Sequence, residues 1–174
     1  ISAERIREVR EPRLMTKFDH KANLPQIFLN NGLSILPITR GRYIISSFEA
    51  YKTFEQPETE PEKVFVPDYL QSLAPQFLTS EAIALNFAGA SGILKDFLED
   101  EKIMPTVNGR MSSGAFEFDI ETKTGRSHVE VSNSQIEIDA GYEGIRYLSL
   151  FEAKKMDLAE DFLIRQLYYP YRTW

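Results

Sequence analysis

Residues 135–139 read Gln135-Ile136-Glu137-Ile138-Asp139, with the aliphatics alternating strictly against the polar side chains. A period of two predicts a strand that turns Ile136 and Ile138 to one face and the acids to the other, ending at Asp139. From residue 146 to 154, Leu148, Leu150, Glu152 and Lys154 share one face, and Tyr147, Ser149, Phe151 and Ala153 the other. Apolar residues on both faces predict a central strand buried on both sides. The stretch Ala140-Gly141-Tyr142-Glu143-Gly144 between the two reads as a hairpin-like connection, since its glycines permit a tight turn. A second hairpin is predicted over residues 115–121 and 127–131, turning at Thr124-Gly125, with Phe116, Phe118 and Ile120 alternating against Glu117, Asp119 and Glu121.

Helical spacing appears elsewhere. Residues 3–9 form a short charged helix candidate, and residues 24–30 a second, with Pro25 in its first turn and Asn31-Gly32 at its end. A stronger helix is predicted from Ser80, a suitable N-cap, to about Glu99, with Ile83, Phe87, Ala90, Leu94 and Phe97 on one face. Gly89 and Gly92 weaken it or admit a strand closely. Leu158, Phe162, Ile164, Leu167 and Tyr168 give an apolar helical face over residues 157–172. Short strands are predicted at 34–38 and 42–46, joined at Arg40-Gly41, and a helical turn at 68–73. Residues 108–114, with Arg110 between two glycines, read as a surface loop. Pro57, Pro61 and Pro67 among glutamates suit an exposed linker, which divides the chain into a module at 1–56, a linker at 57–67 and a larger domain at 68–174.

Composition narrows the function classes. The 174 residues suffice for one sizeable core, or a core with a small module. The sequence contains no cysteine, which excludes disulfides, thiolate zinc sites and cysteine nucleophiles and fits a cytoplasmic protein. No apolar run approaches the ~20 residues of a membrane span, so no membrane partner is expected. A formal net charge of -6 argues against a passive nucleic-acid coat. The charge is uneven, however. Arg5, Arg7, Arg10, Arg13, Lys17, Lys21, Arg40 and Arg42 crowd the first quarter, ahead of Glu55, Glu58, Glu60 and Glu62. A basic module of this kind can track a phosphate backbone, with Arg13, Lys17, Arg40, Arg42 and the loop residue Arg110 as DNA contacts. Ordinary surface charge is the alternative. His20 and His128 have no partner at metal-ligand spacing and read as satisfied or surface residues. The chain begins at Ile1 and stops just past a helix, which suggests part of a longer protein.

Asp139, Glu152 and Lys154 carry the candidate chemistry. Two carboxylates with the main-chain carbonyl of Ala153 offer oxygen ligands for a divalent cation, and an ammonium beside them can orient or deprotonate a water and offset charge developing on a phosphate. An Asp followed at a distance by Glu-x-Lys also arises by chance as solvated edge residues. Here, though, the pair would end a strand buried on both sides, where charge needs a partner. Glu137 shares the strand face of Asp139 and is an auxiliary acid or a plain solvent-facing residue.

At these residues the sequence resembles the PD-(D/E)xK nuclease superfamily, and within it the type II restriction endonucleases. Asp139, Glu152 and Lys154 match the family's Asp, Glu and Lys, while Ile138 and Ala140 stand where its Pro would be sought. The resemblance covers roughly residues 80–172, and less specifically 11–43. It implies an α/β (α+β) fold with an αβββαβ core and a mixed sheet, truncated here at its C-terminal end. It further implies Mg2+ as cofactor with Mn2+ able to substitute, double-stranded DNA as substrate, and a homodimer cutting both strands of a palindrome. In some members a helix acid and a helix Gln assist. Glu81 and Gln166 are the candidates, with helix N-terminal electrostatics as the bland reading of Glu81. The small basic α+β module before the core would be a winged-helix-like reader or a cap. The resulting expectation is a Mg-dependent endodeoxyribonuclease of restriction type. The alternatives are a repair or recombination nuclease with the same site and a catalytically silent module that binds nucleic acid or protein.

Overall fold

Gly32 shows how the sequence stops a helix. In the computed structural model, which describes residues 17–54, 59–60, 62–73, 76, 78–154 and 161–174, Gly32 adopts φ 60°, a left-handed conformation that costs a glycine little. Its amide bonds the carbonyl of Leu29, and the amide of Leu33 bonds that of Phe28. A Cβ at this position would also collide with the ammonium of Lys123. The described elements run α1 (Gln26–Asn31), β1 (Ser34–Pro37), β2 (Tyr43–Ser46), β3 (Tyr51–Lys52), a 3-10 turn (Gln71–Leu73), α2 (Glu81–Ala90), α3 (Ile93–Leu98), β4 (Met104–Ser112), β5 (Ala115–Thr122), β6 (Gly125–Ser132), β7 (Gln135–Glu143), β8 (Leu148–Phe151), β9 (Phe162–Leu163) and α4 (Arg165–Tyr171), with a further 3-10 turn at Lys21–Asn23 ahead of them. The fold is mixed α+β, built from several small sheets. Among the described residues no helix is long and apolar enough to cross a membrane.

Packing divides the chain into two units that do not follow a linear cut. The first comprises Ile1–Phe54, Ser112–Gln135 and Ala159–Trp174, and the second Glu55–Met111 and Ile136–Leu158. In the first, β1 and β2 pair antiparallel from Ser34↔Ser46 to Pro37↔Tyr43, and Thr39 Oγ1 holds the amides of Gly41 and Arg42 in the turn between them. β5 and β6 form the predicted hairpin, in register from Ala115↔Ser132 to Thr122↔Gly125. Phe18, Leu24 and Ile35 make one core cluster. Tyr169, almost wholly buried, sets its ring edge-on to Phe116 at 5.1 Å and donates its hydroxyl to Pro37 O at 3.0 Å. Burial accordingly holds its phenol well above the ordinary range.

The expected helix over 157–172 is shorter. Phe162 and Leu163 form a strand paired with Tyr51 and Lys52, and the helix starts only at Arg165. Helical spacing of apolar residues lost to the pairing and burial of Phe162 and Leu163, which are 8% and 2% exposed. Residues 155–160, and the charged helix candidate at 3–9, lie outside the described residues.

In the second unit, Ser80 Oγ accepts the amide of Ile83 at 3.3 Å, the expected N-cap. The single helix expected to run to about Glu99 is two helices. Gly92 takes φ 87° and separates α2 from α3. Leu85 and Leu94 join a core cluster with Ile103, Ala140 and Tyr142, while Phe97 is 74% exposed. The chain also passes closely at Gly89, where a Cβ would meet the Tyr142 hydroxyl at 2.7 Å.

A three-stranded sheet in the order β4-β7-β8 carries the rest. β7 does not end at Asp139. It continues through Ala140, Gly141 and Tyr142, all buried, and the turn falls at residues 144–147, closed by Gly144 N to Tyr147 O. Asp100 pins that turn by accepting the amides of Lys102 and Ile145, both at 2.9 Å, which holds its carboxyl below the usual range. β8, expected at the centre, is an edge of this sheet, and β7 is the central strand. Residues 108–114, read as a loop, belong mostly to β4.

Candidate active site

The site is assembled by one strand register. β7 and β8 pair antiparallel with Ala140 opposite Phe151 and Gly141 opposite Leu150. Continued by one position, that register sets Asp139 opposite Glu152, and side chains of opposed residues lie on the same face of a sheet. The period of two along β7 holds: Ile136 and Ile138 are 2% and 1% exposed, while Glu137 and Asp139 turn to the other face. The peptide between the expected Glu and Lys locks the arrangement, for the amide of Ala153 donates to Asp139 Oδ2 at 2.9 Å. Lys154 Nζ then donates to Glu152 Oε1 at 2.6 Å. Asp139, Glu152 and Lys154 are therefore brought together.

Burial dominates the electrostatics here. The Glu152 side chain is 7% exposed and that of Lys154 29%. Desolvation pushes the Glu152 carboxyl up, the hydrogen bond and charge of Lys154 draw it back, and the charges of Asp139 and Glu81 raise it again, leaving it at about 7. Glu81, the first residue of α2, thus acts on the site through its field while its own side chain is exposed. Glu137 pairs with Arg110, Nε to Oε1 at 3.1 Å. Nothing in the local sequence announced that pairing, although the isolated Gly109 inside a strand is the kind of signal that marks a bulge.

Arg40 and Arg42 are exposed at the β1–β2 turn, Lys17 is exposed at the start of the described residues, and Gln166 is half-buried on α4. All four belong to the first unit. Arg13 lies outside the described residues. His20, half-buried, contacts the carbonyl and carboxylate of Asp161, and the exposed His128 sits between Asp119 and Glu117, so both histidines have partners.

Two carboxylates on neighbouring strands, one of them buried and burdened by like charge, fit a divalent cation. Among the described residues no three His, Cys, Asp or Glu side chains group closely enough to hold a metal by themselves.

Comparison with known proteins gives family membership without an activity. No curated protein and no solved structure matches the chain. Residues 1–45 match a family described as a domain of unknown function (DUF6996). Residues 46–174, which hold every described member of the candidate site, match another such family (DUF6997), and because that match spans most of the chain, the protein belongs to the DUF6997 family.

Proposed function

We propose that the protein is a Mg-dependent endodeoxyribonuclease with a PD-(D/E)xK-type site, of restriction-enzyme kind. The observation that carries the reading is the β7–β8 register, which opposes Asp139 and Glu152 and sets Lys154 on the Glu152 carboxylate. The finer fold reading follows the same elements. Helix α2 precedes three strands, β4, β7 and β8, as in the αβββαβ core, with the β5–β6 hairpin inserted after the first. Two-fold pairing of subunits and DNA contact by Arg40 and Arg42 belong to the same proposal.

Asp139, Glu152 and the carbonyl of Ala153 would hold Mg2+, or Mn2+ in its place. Held there, it would supply Lewis-acid polarisation of a phosphate and a lowered pKa for a water. Asp139 is kept in place for this by the Ala153 amide, so little reorganisation is needed. Lys154 orients the water for in-line attack and faces the negative charge that builds on the phosphoryl oxygens. Glu81 adds negative field around the acids, which favours a cation at this point of the sheet.

The test is cation-dependent stability. Mn2+ or Mg2+ should raise the melting temperature of the wild type, and Asp139→Ala should abolish the shift. Cleavage of methylated and unmethylated genomic DNA then separates the classes. Discrete bands mark a sequence-specific enzyme and a smear a repair-type nuclease, whereas a folded protein with neither shift nor cleavage is a silent binding module.

A further inference from the structure

Arg110 reaches the acid face of the sheet through a break in strand alternation. A Cβ on Gly141 would lie 2.9 Å from Val107 Cβ and 3.3 Å from Leu150, so Val107 faces the same side as Gly141, and with it Asp139 and Glu137. Strict alternation from Val107 would then turn Arg110 to the opposite side, among the core residues. Instead its Nε lies 3.1 Å from Glu137 Oε1. Between them Gly109 adopts φ 87°. A left-handed glycine inside a strand is the means by which a bulge re-aims the next side chain. A Cβ at Gly109 would meet nothing within 4 Å, so the backbone angle, not crowding, calls for glycine there.

We infer that Arg110 is the phosphate-binding arm of this site: it takes a DNA backbone phosphate beside the scissile one, exchanging Glu137 for the incoming anion. The inference rests on the nuclease reading for its substrate. A face carrying Glu137, Asp139 and Glu152 repels a polyanion, and Arg110 is the counterweight beside Glu137, two residues along the strand from Asp139. A guanidinium matches phosphate with two parallel hydrogen bonds, which an ammonium cannot do. The pair with Glu137 is half exposed, 52% for Arg110 and 44% for Glu137, and exposed ion pairs are readily given up. Glu137 therefore holds the arm over the face without competing strongly with substrate.

The experiment is fluorescence anisotropy of a labelled duplex against the full chain, without divalent cation and over a range of salt, with cleavage measured separately in Mg2+. Arg110→Ala should weaken binding about tenfold and reduce the salt dependence by roughly one phosphate contact. Arg110→Lys should recover part of the affinity. Glu137→Gln, which leaves the arm intact, should tighten binding. At saturating DNA the cleavage rate of Arg110→Ala should stay within a few fold of wild type, which separates an arm from a catalytic group. Unchanged affinity in both Arg110→Ala and Glu137→Gln overturns the inference, and if the wild type cleaves, the nuclease reading survives it. Arg110-dependent binding without cleavage supports the phosphate arm and removes the nuclease. A wild type that neither binds nor cleaves DNA overturns both.

Discussion

Two carboxylate–cation pairs in this protein have nearly the same length and opposite meaning. Glu152 and Lys154 meet at 2.6 Å with side chains 7% and 29% exposed, while Glu121 and Arg126 meet at 2.7 Å with side chains 55% and 72% exposed. Distance does not distinguish them; solvent does. At the hairpin, water screens both charges and the pair contributes little. At the end of β8, burial and the nearby charges of Asp139 and Glu81 lift the Glu152 carboxyl to about 7 in spite of Lys154. A group so perturbed, beside a second acid, is where functional sites are found.

The comparison breaks most visibly in activity. Asp139→Ala or Lys154→Ala should lower DNA cleavage by on the order of a thousandfold, the scale of losing a preorganised electrostatic group, while Glu121→Ala and Arg126→Ala leave it unchanged in the same plasmid assay. Equal losses from both pairs would erase the distinction.

Stability against pH is the next effect in size. The folded pKa of Glu152 lies above its ordinary 4.5, so between pH 4.5 and 7 the folded state binds a proton more readily than the unfolded chain. Glu152 thus takes away stability as pH rises through that window, and the loss is complete above about 7. Glu152→Gln should stabilise the protein by up to about 3 kcal/mol at pH 8 and hardly at all at pH 4, in urea melts at the two pH values. An equal gain at both would place the effect outside ionisation.

Gly32→Ala, strained at its left-handed φ, should cost about 1–2 kcal/mol, read by the same melts. The smallest effect is at His128, whose hydrogen bond to Asp119 raises its pKa above 6.5. Its NMR titration midpoint should fall in Asp119→Asn. Because the folded value is the higher one, the stability that this pair adds is present at low pH and lost as pH rises through it.

The same contrast explains what could be read from sequence. The β5–β6 hairpin was legible because its alternation and turn are local, as were the Ser80 cap and the Gly32 stop. The shared face of Glu137 and Asp139 was legible too, since period-two patterning already put them together. What was hidden depends on distant partners. Phe162 and Leu163 become a strand only because Tyr51 and Lys52 are there to pair. The rank of β8 as an edge follows from which strands flank β7, and β4 was masked by Gly109, whose left-handed angle resembles a loop in sequence. The continuation of β7 past Asp139 likewise depends on a core for Ala140 and Tyr142 to enter, formed by Leu85, Leu94 and Ile103.

The most direct test of the central claim is cleavage of supercoiled plasmid by the wild type and by Lys154→Ala, with Mg2+ and with chelator, both proteins shown to be folded. The account predicts Mg2+-dependent nicking or linearisation by the wild type alone. Intact plasmid with the folded wild type, or equal cleavage by Lys154→Ala, would contradict it.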